Sequence, residues 1–110
     1  MTYERFDVVV VPFPFTDRKQ VKRRPGLIIS GADFNRKAAH SVMAMITSAG
    51  NAPWPSDIPV SDLGAAGLPA PSVVRMKLFT LDHRLIVAKR GALSGKDRNA
   101  VRRVLKNVIA

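Results

Sequence analysis

Four consecutive valines, Val8 to Val11, constrain the fold of this chain more than any other feature. β-Branched side chains lose rotamer freedom in a helix and fit the pleated surface of a strand. Successive strand residues point to opposite faces, so an unbroken valine run needs apolar cover on both. Phe6 precedes the run, and Pro12 and Pro14 stop it. The first element is therefore expected to be a strand buried on both faces.

The stretch from Thr16 to Arg24 is polar and basic without a period and reads as a loop. Pro25 to Ser30 is a second apolar β-like run. Pro25 has no N–H to donate, so it should open that strand or lie on an edge. Asp33 to Lys37 suggests a turn or short helix, and Ser41 to Thr47 a third strand. Ser48 to Ser56 holds Gly50, Asn51, Pro53 and Pro55 and reads as a loop. Asp57 to Val60 reads as a short strand, and Ser61 to Pro71 as another loop. Ser72 to Thr80 alternates from Val74 onward. Arg75 and Lys77 should then share one face, with Val74, Met76 and Leu78 on the other. Arg84 to Leu93 is the last expected strand.

The C-terminal segment has the signature of a helix. Ser94 can cap it, with Asp97 three residues on completing a capping box. Val101, Val104, Leu105 and Val108 form an apolar stripe, and Arg98, Arg102, Arg103 and Lys106 fall mostly off it. Five or six short strands and one terminal helix make a β-rich α+β domain. A partly closed antiparallel barrel is the natural form, because closure protects the edges of a small sheet. No repeat or boundary divides the chain, so residues 1–110 read as one domain.

Composition narrows the chemistry. With no cysteine, disulfides, thiolate metal sites and a cysteine nucleophile are excluded. Lys and Arg number 18 against 8 Asp and Glu, a net charge of +10 that attracts polyanions such as nucleic acid. No early apolar run approaches the roughly 20 residues that cross a bilayer, and no signal peptide is visible. The expectation is a cytoplasmic protein without a membrane partner. His40 and His83 are the two histidines and read as surface residues. Carboxylates are scattered without ligand spacing, so no metal and no cofactor are expected.

Basic groups and hydroxyls remain. Arg18, Lys19, Lys22, Arg23 and Arg24 crowd one segment. Arg24 differs from the rest because Pro25 biases it toward an extended backbone, and a guanidinium so held can grip a phosphate through two parallel hydrogen bonds. Thr47 and Ser48 end the third strand. Their hydroxyls either satisfy local backbone groups or, if the second and third strands pair antiparallel, meet Arg24 at one sheet edge. Trp54 stands between Pro53 and Pro55, where it either stacks on a base or covers the core or a dimer contact.

The segments Asp7 to Asp17, Lys22 to Ser30, Phe34-Asn35 and Ile46 to Ser48 resemble the MazF/PemK toxin pattern. So do Gly67-Leu68, Ser72 to Arg75, Thr80 to Asp82 and Gly91 to Ser94, in the same order. The resemblance implies an SH3-like barrel that forms a homodimer. It implies a metal-independent endoribonuclease cutting single-stranded RNA at short sequences. With the basic charge, it also implies an acidic antitoxin partner that covers the RNA groove. The family's catalytic arginine falls on Arg24 and its catalytic threonine on Thr47, beside Ser48. A further functional arginine of the PemK/Kid branch falls on Arg75. That branch has an aspartate where this chain has Lys77, and its loop histidine has no counterpart between Thr16 and Arg24. The general base is thus open, with Asp17 the one carboxylate in the loop. Asp17, Arg18, Lys19, Lys22, Arg23, Arg75 and Lys77 are the expected RNA-binding set. Two alternatives are a non-catalytic CcdB-like toxin that binds DNA gyrase and a plain nucleic-acid-binding barrel.

Overall fold

The computed structural model describes residues 2–13 and 22–109. Asp17, Arg18 and Lys19 lie outside the described residues. Six strands form one antiparallel sheet: β1 (Asp7–Phe13), β2 (Lys22–Ile28), β3 (His40–Ser48), β4 (Ile58–Pro59), β5 (Ser72–Asp82) and β6 (Ala88–Ala92). Their spatial order is β4-β5-β3-β2-β1-β6. The helices are α1 (Ala32–Ala38), the single turn α2 (Leu63–Ala66) and α3 (Gly95–Ile109).

The valine run does what its chemistry requires. Val8 packs with Phe6, Leu27, Ala44, Ile46 and Val74 on one face of the sheet. Val9 and Val11 pack with Ile28 and Met43 on the other. The helix α3 covers the first face by burying Val101, with Ala100, Val104 and Leu105 packed beside it. Its stripe fades toward the end, where Val108 is exposed.

The sheet curls because α2 joins its two edges. This turn follows β4 and lies backbone-to-backbone on β6. A Cβ on Gly67 would overlap the Arg90 carbonyl, and one on Gly91 would overlap the Ala65 carbonyl. Gly67 also has φ +68°, the left-handed region that favours glycine. The result is the partly closed barrel with a C-terminal helix expected from the strand count.

Several boundaries differ from the sequence reading. Lys22, Arg23 and Arg24 are strand, not loop: they pair with Phe13, Pro12 and Val11. Pro25 is the fourth residue of β2, an interior strand. It is tolerated because pairing with β3 begins only at Gly26, so at Pro25 the strand is locally an edge. Residues 61–71 contain the helical turn α2, capped by Asp62 accepting from the Ala65 N–H. The expected strand from Arg84 starts later, because His83–Leu85 form a 3₁₀ turn. Only half of the capping box forms. Ser94 Oγ accepts from the Asp97 N–H, but the buried Asp97 carboxylate accepts instead from Ser61 and Asp62. His83 is half-buried, not a surface residue: its Nε2 lies 2.7 Å from the buried Ser41 hydroxyl, and its ring meets Tyr3 edge-on.

Candidate active site

Pairing of β2 with β3 is antiparallel, with Gly26 opposite Met45. Two residues further, the same register sets Arg24 level with Thr47. Arg24, Thr47 and Ser48 line one cleft of about 170 Å³, walled by Pro25, Ile46 and the segment Leu68–Ser72 that follows α2. Arg24, Pro25, Leu68 and Pro69 also line an adjoining cavity of about 470 Å³, with Arg23, Arg90, Val10 and Val87. The two spaces meet along Arg24.

Strand alternation fixes which face is involved. Thr47 pairs with Val73, and Arg75 is two positions along β5. Arg24, Thr47 and Arg75 therefore follow one face of the sheet across β2, β3 and β5. It is the face opposite α3, whose apolar part is Val9, Val11, Ile28 and Met43.

The hydroxyls accept locally yet keep their protons free to donate. Thr47 Oγ1 accepts from Asn51 Nδ2 at 2.6 Å, and Ser48 Oγ from the Gly50 N–H at 3.3 Å. A hydroxyl has one donor and two acceptor positions, so each can still donate to a phosphate oxygen. The exposed Arg24 side chain lines the cleft and makes no hydrogen bond or ion pair with any described residue. Lys22 and Arg23 are also exposed on β2.

Arg75 is placed on the expected face but is committed elsewhere. Its Nε and one terminal nitrogen donate to the two oxygens of Asp57 at 3.1 and 3.0 Å, and that nitrogen also donates to the Ala52 carbonyl at 2.9 Å. The Arg75 hydrogen bond holds the Asp57 carboxyl below the usual carboxylate range, against the upward push of burial. Lys77 shares the face with Arg75, as the alternation required. Both cations lie over the Trp54 ring, Lys77 at 4.6 Å and Arg75 at 5.9 Å from its centroid. A bulge sets this up. Ala44 pairs with Leu78 and the next residue, Met45, with Arg75, so β5 carries Met76 and Lys77 as extra residues.

Arg90 and Asn51 are the residues the sequence reading missed. The Lys89-Arg90 pair was a visible signal, but only the β1–β6 pairing brings Arg90 beside Arg24. Asn51 read as a turn former, and its loop folds back so that its amide meets Thr47. Among the described residues no three of His, Asp or Glu come together in a metal-binding group.

A family model described as the PemK-like, MazF-like toxin of type II toxin–antitoxin systems matches residues 4–109. Comparison with curated proteins gave no match. The fold is similar to that in a MazE–MazF complex from Deinococcus radiodurans (form III), with a TM-score of 0.78 at 20% identity over 99% of this chain and 97% of that one. It is also similar to an endoribonuclease bound to its cognate antitoxin from a mycobacterial species, with a TM-score of 0.74 at 17% identity over 96% and 91% of the two chains. For the Mycobacterium tuberculosis toxin MazF-mt6 the TM-score is 0.73 at 20% identity, over 92% and 93%.

Proposed function

We propose, from the premise that this chain belongs to the PemK-like, MazF-like toxin family of type II toxin–antitoxin systems, that its Arg24–Thr47–Ser48 cleft cuts single-stranded RNA without a metal ion. The chain is an endoribonuclease by family. The reading of the cleft rests on one observation: a guanidinium and two donor-capable hydroxyls line the same small space at the end of two neighbouring strands.

The substrate supplies the nucleophile. Its 2′-hydroxyl attacks the adjacent phosphorus, a 2′,3′-cyclic phosphate forms, and the 5′-oxygen leaves with a proton. The protein's work is to hold the backbone in line and to stabilise the charge growing on the phosphorane oxygens. Arg24 does the second through paired N–H donors. Its high pKa makes it a poor acid, so its role is electrostatic. Thr47 and Ser48 donate to the same phosphate and orient it. Arg23, Arg90 and Lys22 extend the positive surface along which the strand approaches.

The partner of such a surface is an acidic antitoxin segment, and the functional unit is a homodimer. The antitoxin-bound structures similar in fold to this chain support the first point.

Incubating the purified protein with mixed-sequence RNA in EDTA, then analysing the ends, tests the chemistry. The expected products carry 2′,3′-cyclic phosphate (or its hydrolysed form) and 5′-hydroxyl, and the matching DNA strand stays whole. Equal cutting of DNA, or activity lost in EDTA and restored by Mg²⁺, overturns the mechanism.

A further inference from the structure

The loop between β3 and β4 carries the molecule's single tryptophan and is tied at one end to the cleft and at the other to β5. At one end Asn51 donates to Thr47, and its N–H to the Ser48 carbonyl. At the other, Asp57 is clamped by Arg75 and accepts from the Trp54 N–H at 3.0 Å. The loop is thus built to a fixed shape. Trp54 is nonetheless 40% exposed, a large apolar ring left open beside a cation.

Such a ring in so basic a neighbourhood has two physical uses. It can cover apolar surface, or it can offer a π-face to a base. The Trp54 ring lies against the charged ends of Lys77 and Arg75 on the face opposite α3. Arg75 is engaged through its Nε and one terminal nitrogen with Asp57 and Ala52, whereas Lys77 is exposed and has no ion pair among the described residues. Lys77 can therefore still meet a phosphate. By strand spacing, Arg75 stands roughly 8 Å from Thr47: one strand across and two residues along. That is within reach of a nucleotide neighbouring the one in the cleft.

We infer that Trp54 and Lys77 form a nucleotide subsite, in which a base of single-stranded RNA stacks on the Trp54 ring while Lys77 holds its phosphate. This rests on the proposed ribonuclease reading and adds a determinant of which sequence is cut. The bulge in β5 carries Lys77 as an extra residue on the face of Arg75. The Arg75–Asp57 pair is a positioning device that holds the loop.

The sole tryptophan reports directly. A 2′-O-methylated single-stranded oligonucleotide, which lacks the nucleophile and cannot be cut, is titrated into the wild-type protein while tryptophan emission is followed. Strong saturable quenching is expected, with little quenching by an abasic strand of the same length and charge. Trp54→Ala should weaken binding roughly ten- to hundredfold, and Trp54→Phe should recover most of that loss because it keeps a π-face. Lys77→Ala should make the salt dependence shallower by about one released ion. Each Trp54 variant should also shift the pattern of cleavage sites. Unchanged emission while cleavage proceeds overturns the subsite and leaves the ribonuclease reading intact. Equal quenching by the abasic strand overturns stacking. Absence of both binding and cleavage condemns the ribonuclease reading instead.

Discussion

Arg24 is the residue on which the chemistry turns, and its surroundings predict a clean phenotype. It sits in a paired strand, and its exposed side chain makes no hydrogen bond or ion pair with a described residue, so removing that side chain should leave the fold intact. Arg24→Ala should cost about 10²–10³ in the single-turnover cleavage rate, the usual loss for one preorganised donor to a developing oxyanion. Arg24→Lys should recover little, because an ammonium cannot reproduce two parallel N–H bonds. Thermal unfolding should be nearly unchanged in both. A full rate in Arg24→Ala would mean that the cleft is organised around another group, such as Arg23 or Arg90, which line the adjoining cavity.

At the scale of elements, Asp97 in the first turn of α3 ties that helix to the segment before α2. Its buried carboxylate accepts from the Ser61 N–H at 3.1 Å, the Ser61 hydroxyl at 2.7 Å and the Asp62 N–H at 3.1 Å. It thereby joins α3 to the segment that leads into α2 and the cleft wall. Burial pushes its pKa up, but these hydrogen bonds, with one from Ser94, outweigh that and hold it below the ordinary value. The unfolded chain then binds the proton more readily. The contribution is complete above the unfolded pKa of about 4 and is lost as pH falls through the lower folded value. Asp97→Asn should destabilise the protein by about 1–3 kcal/mol at neutral pH. It should also flatten the loss of stability below pH 4 in denaturant titrations. Parallel wild-type and mutant curves would show that another carboxylate governs the acid limb. The elements that could be read from sequence are those whose signal is local. The valine run and the stripe of α3 both carry their burial pattern in neighbouring residues. Three features were hidden because they depend on distant partners. Lys22 to Arg24 look like loop until β1 pairs with them. Arg75 looks free until Asp57, 18 residues away, is folded against it. The bulge that aligns Lys77 exists only in the register between β3 and β5. The cleft itself was legible in part: Arg24 and Thr47 followed from Pro25 and antiparallel pairing, but its wall comes from α2, which read as loop.

For the whole molecule, the charge of +10 is distributed unevenly in use. Arg23, Arg24 and Arg90 face the clefts, whereas Arg98 and Arg102 of α3 lie over the Phe6 ring at 5.8 and 4.9 Å. RNA and an acidic antitoxin segment should therefore compete for the first group. Adding antitoxin to a complex with an uncleavable strand should displace it, and both affinities should fall as salt rises. Simultaneous, independent binding would rule out direct occlusion. The origin of the cleft has a further, genetic consequence. Arg24, Thr47, Ser48 and the segment after α2 line one cleft within the chain. In the proposed dimer, a wild-type subunit paired with an Arg24→Ala subunit keeps its own Arg24, Thr47 and Ser48 together. Mixed assemblies should lose activity in simple proportion to the mutant fraction, and an inactive allele should be recessive when co-expressed. A steeper, squared decline would reveal that each working centre borrows a group from its neighbour.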